Sequence, residues 1–174
     1  MKFIKLFLLS SIFSLLLLSN CTEKKSEILS NKLEGAWIKV ETKNVFSDST
    51  QIILNPQPCL LIVSNHYYSF LSVRGTEPRE PYKQPYNPTP EEMIIAYNSF
   101  AANAGKYEKT DSTIITFPLI SKVPGYSGGK GVYQYNIKSD TLYLTMIEEY
   151  SKSGEWASWL DNLKSTSKYV KAEK

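Results

Sequence analysis

The chain has 174 residues, 20 Lys or Arg against 17 Asp or Glu, one histidine and two cysteines. That charge balance excludes a basic nucleic-acid-binding face, and so few histidines and cysteines exclude a zinc or haem centre built from them, so no cofactor or metal is expected. Twelve tyrosines, set among many Thr, Ile and Val, favour strands and an interior in which phenol hydroxyls need partners.

Lys2 and Lys5 precede a charge-free run, LFLLSSIFSLLLL (6–18). A positive segment followed by an apolar one of this length is a signal-peptide pattern. The run is shorter than the roughly 20 apolar residues that span a bilayer as a helix. No small-residue cleavage site of the A-x-A kind follows it. Instead it ends in Leu18-Ser19-Asn20-Cys21, which resembles a bacterial lipobox, with Asn20 where Gly or Ala is usual. The resemblance implies that residues 1–20 are a lipoprotein signal peptide and that Cys21 is lipidated with palmitate-type chains and becomes the N-terminus. Residues 21–31 then form a polar tether. A single acyl chain holds a protein only marginally, so several are needed for stable anchoring. Thr22 is not the Asp associated with inner-membrane retention, so the expected address is the cell envelope, with the outer membrane favoured. Removing residues 1–20 from 174 leaves 154, enough for one domain over 32–174. It also leaves 18 basic residues against 17 acidic ones, a net charge of +1.

Beyond the tether, apolar and polar residues alternate with period two, the mark of half-buried strands. Strands are predicted at 35–45, 59–63, 67–73, 105–109, 113–121, 131–138, 141–148 and 168–172. Ser64-Asn65-His66, Thr110-Asp111-Ser112 and Ser139-Asp140 form the turns. Two segments interrupt this pattern. RGTEPREPYKQPYNPTP (74–90) holds five of the nine prolines and cannot be a central strand. It runs into Thr89-Pro90-Glu91-Glu92, a capped helix start. Met93, Tyr97, Phe100, Ala101 and Ala104 follow at helical spacing, so a helix over 90–103, stopped by Gly105 and packed on the barrel, is predicted. A short second helix is expected at 155–164, with Trp156, Trp159, Leu160 and Leu163 on one face.

Sorting the strand faces by polarity puts Tyr107, Ile115, Phe117, Tyr133, Tyr135, Leu142 and Leu144 inside. The first strand resists, because strict alternation groups Trp37 with Lys39 and Glu41. A bulge, or an end-of-barrel position for Trp37, would reconcile them. The close spacing of strands and turns gives the fold class: mostly β, a single antiparallel meander closed as a barrel or sandwich.

Leu33-Glu34-Gly35-Ala36-Trp37 resembles the G-x-W opening of lipocalins, where the Trp closes one end of the barrel. Residues 102–146 are similar to bacterial lipocalin-like domains: a Gly-x-Tyr strand, a tight turn, a Thr-rich strand, a Pro/Gly loop, an aromatic strand and Asp140-Thr141-Leu142-Tyr143-Leu144. Tyr169-Val170-Lys171 resembles the closing aromatic-x-basic strand. The likeness covers roughly residues 33–172, apart from the proline-rich stretch and 150–165. It implies a lipocalin-like barrel and does not by itself assign an activity.

Few residues here invite catalysis. His66, the lone histidine, falls in a predicted hairpin turn. Cys59 in PCLLIV reads as a small buried hydrophobe. Gly125-Tyr126-Ser127-Gly128-Gly129-Lys130-Gly131 lacks the Ser or Thr and the helix that a phosphate loop requires. Glu148 and Glu149 are adjacent on a strand, face opposite sides and are read as solvated. Arg74 and Arg79, the chain's two arginines, lie in the proline-rich loop, where they could clamp an anion. The leading expectation is a membrane-anchored binder of a small hydrophobic or amphipathic ligand. Tyr107, Tyr133 and Tyr135 would be its polar anchors, with Phe117, Phe100 and Arg74 beside them. The alternatives are a filled barrel that contacts other envelope proteins, and an enzyme of the cyclase or isomerase kind using tyrosine acid–base groups.

Overall fold

The computed structural model describes residues 32–172; the expected signal peptide, Cys21 and the tether lie outside them. The compact unit that begins at Glu34 is an antiparallel β-barrel. Its strands are β1 (Gly35–Val45), β2 (Thr50–Leu54), β3 (Cys59–Ser64), β4 (Tyr67–Val73), β5 (Phe100–Lys109), β6 (Thr113–Ser121), β7 (Lys130–Lys138), β8 (Thr141–Tyr150) and β9 (Lys164–Lys171). Neighbours pair in chain order from β3 to β9, and β1 pairs with both β3 and β9, so eight strands close the barrel.

The strand β2 is the one the periodicity did not predict. It pairs with the far half of β1, Glu41–Val45, while β3 pairs with the near half, Gly35–Ile38. The two are one barrel strand interrupted by Asn55-Pro56-Gln57-Pro58, whose prolines cannot donate to the ladder. Asn55 still donates its N–H to the Val40 carbonyl (3.0 Å).

The difficulty with the first strand resolves as a bulge. In the β1–β9 ladder the register shifts between Lys39 and Glu41, leaving Val40 extra. Trp37 and Lys39 therefore share the inner face, where Lys39 Nζ donates to Ser72 Oγ (3.4 Å). Glu41 turns out to meet Lys168 (3.8 Å).

The helix α1 (Pro90–Asn98) is shorter than predicted. Its start is as read: Thr89 accepts from the Glu92 N–H, and Glu92 accepts from the Thr89 N–H, a complete capping box. Its end differs. Phe100–Ala104 belong to β5 and pair with Ser69–Val73 of β4. A full ladder outweighs the modest helix preference of an Ala-rich segment. Gly105 is then not a helix stop. It sits at a bulge between β5 and β6, and a Cβ there would collide with the Phe117 carbonyl oxygen and lie 2.8 Å from the Leu119 nitrogen. Nor is α1 packed on the barrel as expected, for none of its residues is buried. It is tied down by Lys122, whose Nζ donates to the Tyr97 and Phe100 carbonyls and lies over the Tyr97 ring and whose carbonyl accepts from the Tyr97 hydroxyl (3.4 Å), and by the Lys83 N–H, which donates to Glu92 (3.0 Å).

The second helix is also absent. Residues 151–155 form a turn in which Ser151 and Glu155 exchange backbone and side-chain hydrogen bonds. Trp156 then bridges to Tyr150, and Ser158–Asp161 make a single 3-10 turn. The two indoles are held by acids, Trp156 by Asp161 and Trp159 by Glu149 (2.9 Å each), so they do not form one apolar face.

Candidate ligand site inside the barrel

The two ends of the barrel are built differently. At one end the connections are short: 65–66, 110–112 and 139–140. His66 lies there, exposed, with φ of 65°. Trp37 fills this end with none of its surface exposed, and Lys171 Nζ caps its ring at 4.5 Å while donating to the Glu34 carbonyl. Thus the G-x-W opening and the closing aromatic-x-basic strand meet in one cation–π contact. Tyr107, Tyr135 and Leu142 are buried in the interior as predicted, and the Tyr135 hydroxyl donates to the Thr110 carbonyl (2.9 Å).

The other end carries the long connections, 74–99, 122–129 and 151–163. Here the interior is polar. The β6 residues that face inward are Ile114, Thr116 and Pro118, so the predicted placement of Ile115 and Phe117 inside is reversed. Polarity misled the sorting because Thr116 is an interior residue: its hydroxyl donates to the Gly131 carbonyl (3.2 Å). Phe117 is on the outer face. Phe100 is there too, paired with the outward Val73 and covered by the Arg79 guanidinium at 5.4 Å. Neither ring lines the interior.

Two residues that sequence reasoning did not select complete the site. Tyr126, from the 3-10 turn Pro124–Tyr126 in the glycine-rich loop, folds back into the barrel. Gly131 makes room for it. A Cβ at that position would lie 2.5 Å from the Tyr126 hydroxyl and 2.8 Å from Thr116 Oγ1. The second is Glu149. Alternation along β8 from the buried Leu142 would place Glu148 inside. A register shift leaves Ile147 unpaired and exchanges the two glutamates. Glu148 meets Lys130 outside (3.3 Å), and Glu149, opposite the inward Gly131, faces in. The two do face opposite sides as predicted, but Glu149 is half-buried on the inner face rather than fully solvated.

The electrostatics follow from this burial. Desolvation pushes the Glu149 carboxyl above the usual carboxylate range, against the pull of the Trp159 N–H and the field of Arg74. It pushes the Tyr126 phenol up to about 12, with the Glu149 charge adding to the shift. The Tyr68, Tyr133 and Tyr169 phenols are raised as well, chiefly by burial. All four phenols are therefore neutral donors at physiological pH. Tyr68 and Tyr126 are each 8% exposed, and both hydroxyls lie beside Thr116, whose hydroxyl partly offsets the rise of each phenol, yet among the described residues neither makes a hydrogen bond of normal geometry. Such groups cost about 1–3 kcal/mol each when left unmade.

Of the residues singled out from sequence, Tyr133 joins this cluster and Tyr107 and Tyr135 lie at the Trp37 end. Arg74 is exposed at the end of β4, near enough to Glu149 and Lys122 to shift both. Buried Cys59 points its thiol at the Tyr169 hydroxyl (4.0 Å). Among the described residues no three His, Cys, Asp or Glu side chains gather as a metal site. Comparison with protein-family models and with curated proteins gives no match.

Proposed function

We propose that this protein is a lipid-anchored small-ligand carrier or sensor of the cell envelope, and that its ligand enters at the end bearing the long loops. The observation that carries the reading is the pair of buried, unpartnered phenols, Tyr68 and Tyr126. Native proteins leave few buried polar groups unsatisfied, and those few call for an explanation. A ligand head group between them supplies the missing hydrogen bonds, while its apolar body lies along Tyr133 and its neighbours. Eight-stranded barrels are of the size that holds one small ligand. The anchor is supported by the Leu18-Ser19-Asn20-Cys21 sequence alone. Mass spectrometry of the mature N-terminus tests it, with a diacylated or triacylated Cys21 expected and an unmodified terminus beyond residue 21 contradicting it.

Titration with decyl-chain amphiphiles under native mass spectrometry tests the binding. One saturable 1:1 adduct is expected; only unsaturable, multiple adducts would overturn the reading. A second reading, a protein-contact role, is favoured by the outer surface near this end. Ile94, Ile95, Leu119 and Ile120 are between 60% and 72% exposed there. On that reading Ile95→Asp and Ile120→Asp abolish function and leave amphiphile binding unchanged.

A further inference from the structure

The strand β2 is paired on one side only. Its residues Thr50–Leu54 lie against Val45–Glu41 of β1, and among the described residues no strand runs along its other edge. Two bonds fix which groups point there. The Phe46 N–H donates to the Ser49 carbonyl (2.9 Å) and the Asn55 N–H to the Val40 carbonyl (3.0 Å), so in this register the backbone groups of residues 49, 51, 53 and 55 face β1. Those of Thr50, Ile52 and Leu54 face the open edge, where among the described residues they make no hydrogen bond. Thr42 and its partner Ile53 face the interior, so the side chains of Thr50, Ile52 and Leu54 lie outside. There Ile52 is 58% and Leu54 67% exposed, with Val45 exposed beside them. An open edge is a template for another strand, and native proteins commonly blunt it with a charge, a proline or a bulge. The stretch from Ser49 to Leu54 carries none of these.

We propose that a second copy of this chain covers the edge, β2 pairing antiparallel with β2 of the other copy about a two-fold axis at Ile52. The open stretch has five residues, bounded by the turn at 46–49 and by Asn55-Pro56. Its central residue is one of those whose backbone faces outward. A two-fold axis there sets Ile52 opposite its own copy and Thr50 opposite Leu54, so every outward N–H and C=O of both strands finds a partner. A shift by one residue would set outward groups against inward ones, and a shift by two would leave an end residue unpaired. On the outer face the same register brings the Ile52 side chains together and sets Leu54 over Thr50 and toward Val45, so the exposed aliphatics of the two copies cover one another. No charge opposes the approach. The nearest charged side chains, Glu41 and Lys43, stand one strand back on β1, and Glu41 is held by Lys168. A foreign strand would meet the same backbone groups, but it would need an uncharged aliphatic stretch of the same length and phase, which β2 offers to itself. The contact is one short strand per copy, so the association is weak rather than obligate. It is independent of what the interior binds, because these side chains face away from it.

Sedimentation of the full-length protein in detergent solution tests the association. Half or more of the chain should be dimeric at about 100 μM. Ile52→Lys sets two like charges opposite each other and should weaken the dimer about tenfold or more. Ile120→Asp, on the other exposed apolar surface, should leave it unchanged. A wild-type chain that is monomeric at that concentration overturns the proposal, even if it captures a foreign strand, and so does a dimer that Ile120→Asp dissolves and Ile52→Lys does not. Mild oxidation reads the register without relying on the lysine variant. The thiol of Ile52→Cys would lie opposite its own copy, with about 5.5 Å between Cα atoms, within disulfide reach. It should give covalent dimers above the wild-type background. The Cα atoms of two Leu54→Cys copies would be about 14 Å apart, so this variant should cross-link only when mixed with Thr50→Cys. Self-cross-linking of Leu54→Cys as fast as that of Ile52→Cys overturns the proposed pairing.

Discussion

The two ends of this barrel solve opposite problems with the same residue type. At the short-turn end, Trp37 is packed out of water and the Tyr135 hydroxyl is satisfied by the Thr110 carbonyl. At the long-loop end, Tyr68 and Tyr126 are buried too, yet among the described residues their hydroxyls, beside Thr116, make no hydrogen bond of normal geometry. Glu149 is half-buried beside them, with its Oε2 held by the Trp159 N–H. One end is therefore finished for stability. The other holds stability back, in the way sites that await a ligand do. On that contrast, removing a side chain or hydroxyl that fills the two ends should act in opposite directions.

The largest effect belongs to the closed end. Trp37→Ala should cost about 3–5 kcal/mol, as large-to-small changes of buried aromatics do, and equilibrium denaturation should record it. Gly131→Ala, at the open end, is the exception and should cost about 1–3 kcal/mol, because its methyl would displace Tyr126 or Thr116; restoring stability with the double variant Gly131→Ala/Tyr126→Phe would sharpen the case. At the open end Tyr68→Phe and Tyr126→Phe should each leave stability unchanged or raise it by about 1 kcal/mol, since each removes an unmet hydrogen-bonding group. A loss above about 2 kcal/mol would mean that these hydroxyls are structural after all.

Thr89→Ala should cost about 1 kcal/mol. Because α1 buries nothing, the loss should appear as faster amide exchange over 93–97, with little change in global melting. The smallest effect is one of slope. Burial raises the Glu149 pKa in the folded chain above its ordinary value of 4.5. The folded state thus holds this proton more tightly than the unfolded state. The stability this contributes is fully present below pH 4.5 and is lost as pH rises through the folded value. Glu149→Gln should flatten that decline in a pH series of melting temperatures.

Much of the barrel was legible because period-two alternation marks eight of its nine strands and the turns at one end are polar and short. What escaped was what breaks the period. The strand β2 is five residues long and ends at an interruption with two prolines. The β8 bulge exchanges Glu148 for Glu149, and nothing local marks it. The Tyr126 ring enters from a glycine-rich connection that by itself looks like a spacer. The overlong helix had a related cause: Phe100, Ala101 and Ala104 do fall at helical spacing from Met93 and Tyr97, and only pairing with β4 decides their state. Helix starts are chemical and local, so Thr89 and Glu92 were readable; its end was set by a partner strand distant in sequence. One signal was available for the site. Gly131 precedes an aromatic strand and follows a loop with a tyrosine, and a glycine on an inward strand position leaves room for another side chain.

The most direct test follows the indole N–H of Trp159, which donates to Glu149 at the edge of the cluster. The chain has three tryptophans, so a proton–nitrogen correlation spectrum gives three indole signals, assignable with Trp159→Phe. On titration with a decyl-chain amphiphile that gives the 1:1 adduct, the Trp159 signal should shift saturably while that of Trp37, packed at the other end, stays in place. Shifts confined to backbone amides of α1 and residues 119–120 would contradict an interior site, as would a Trp159 signal that does not move.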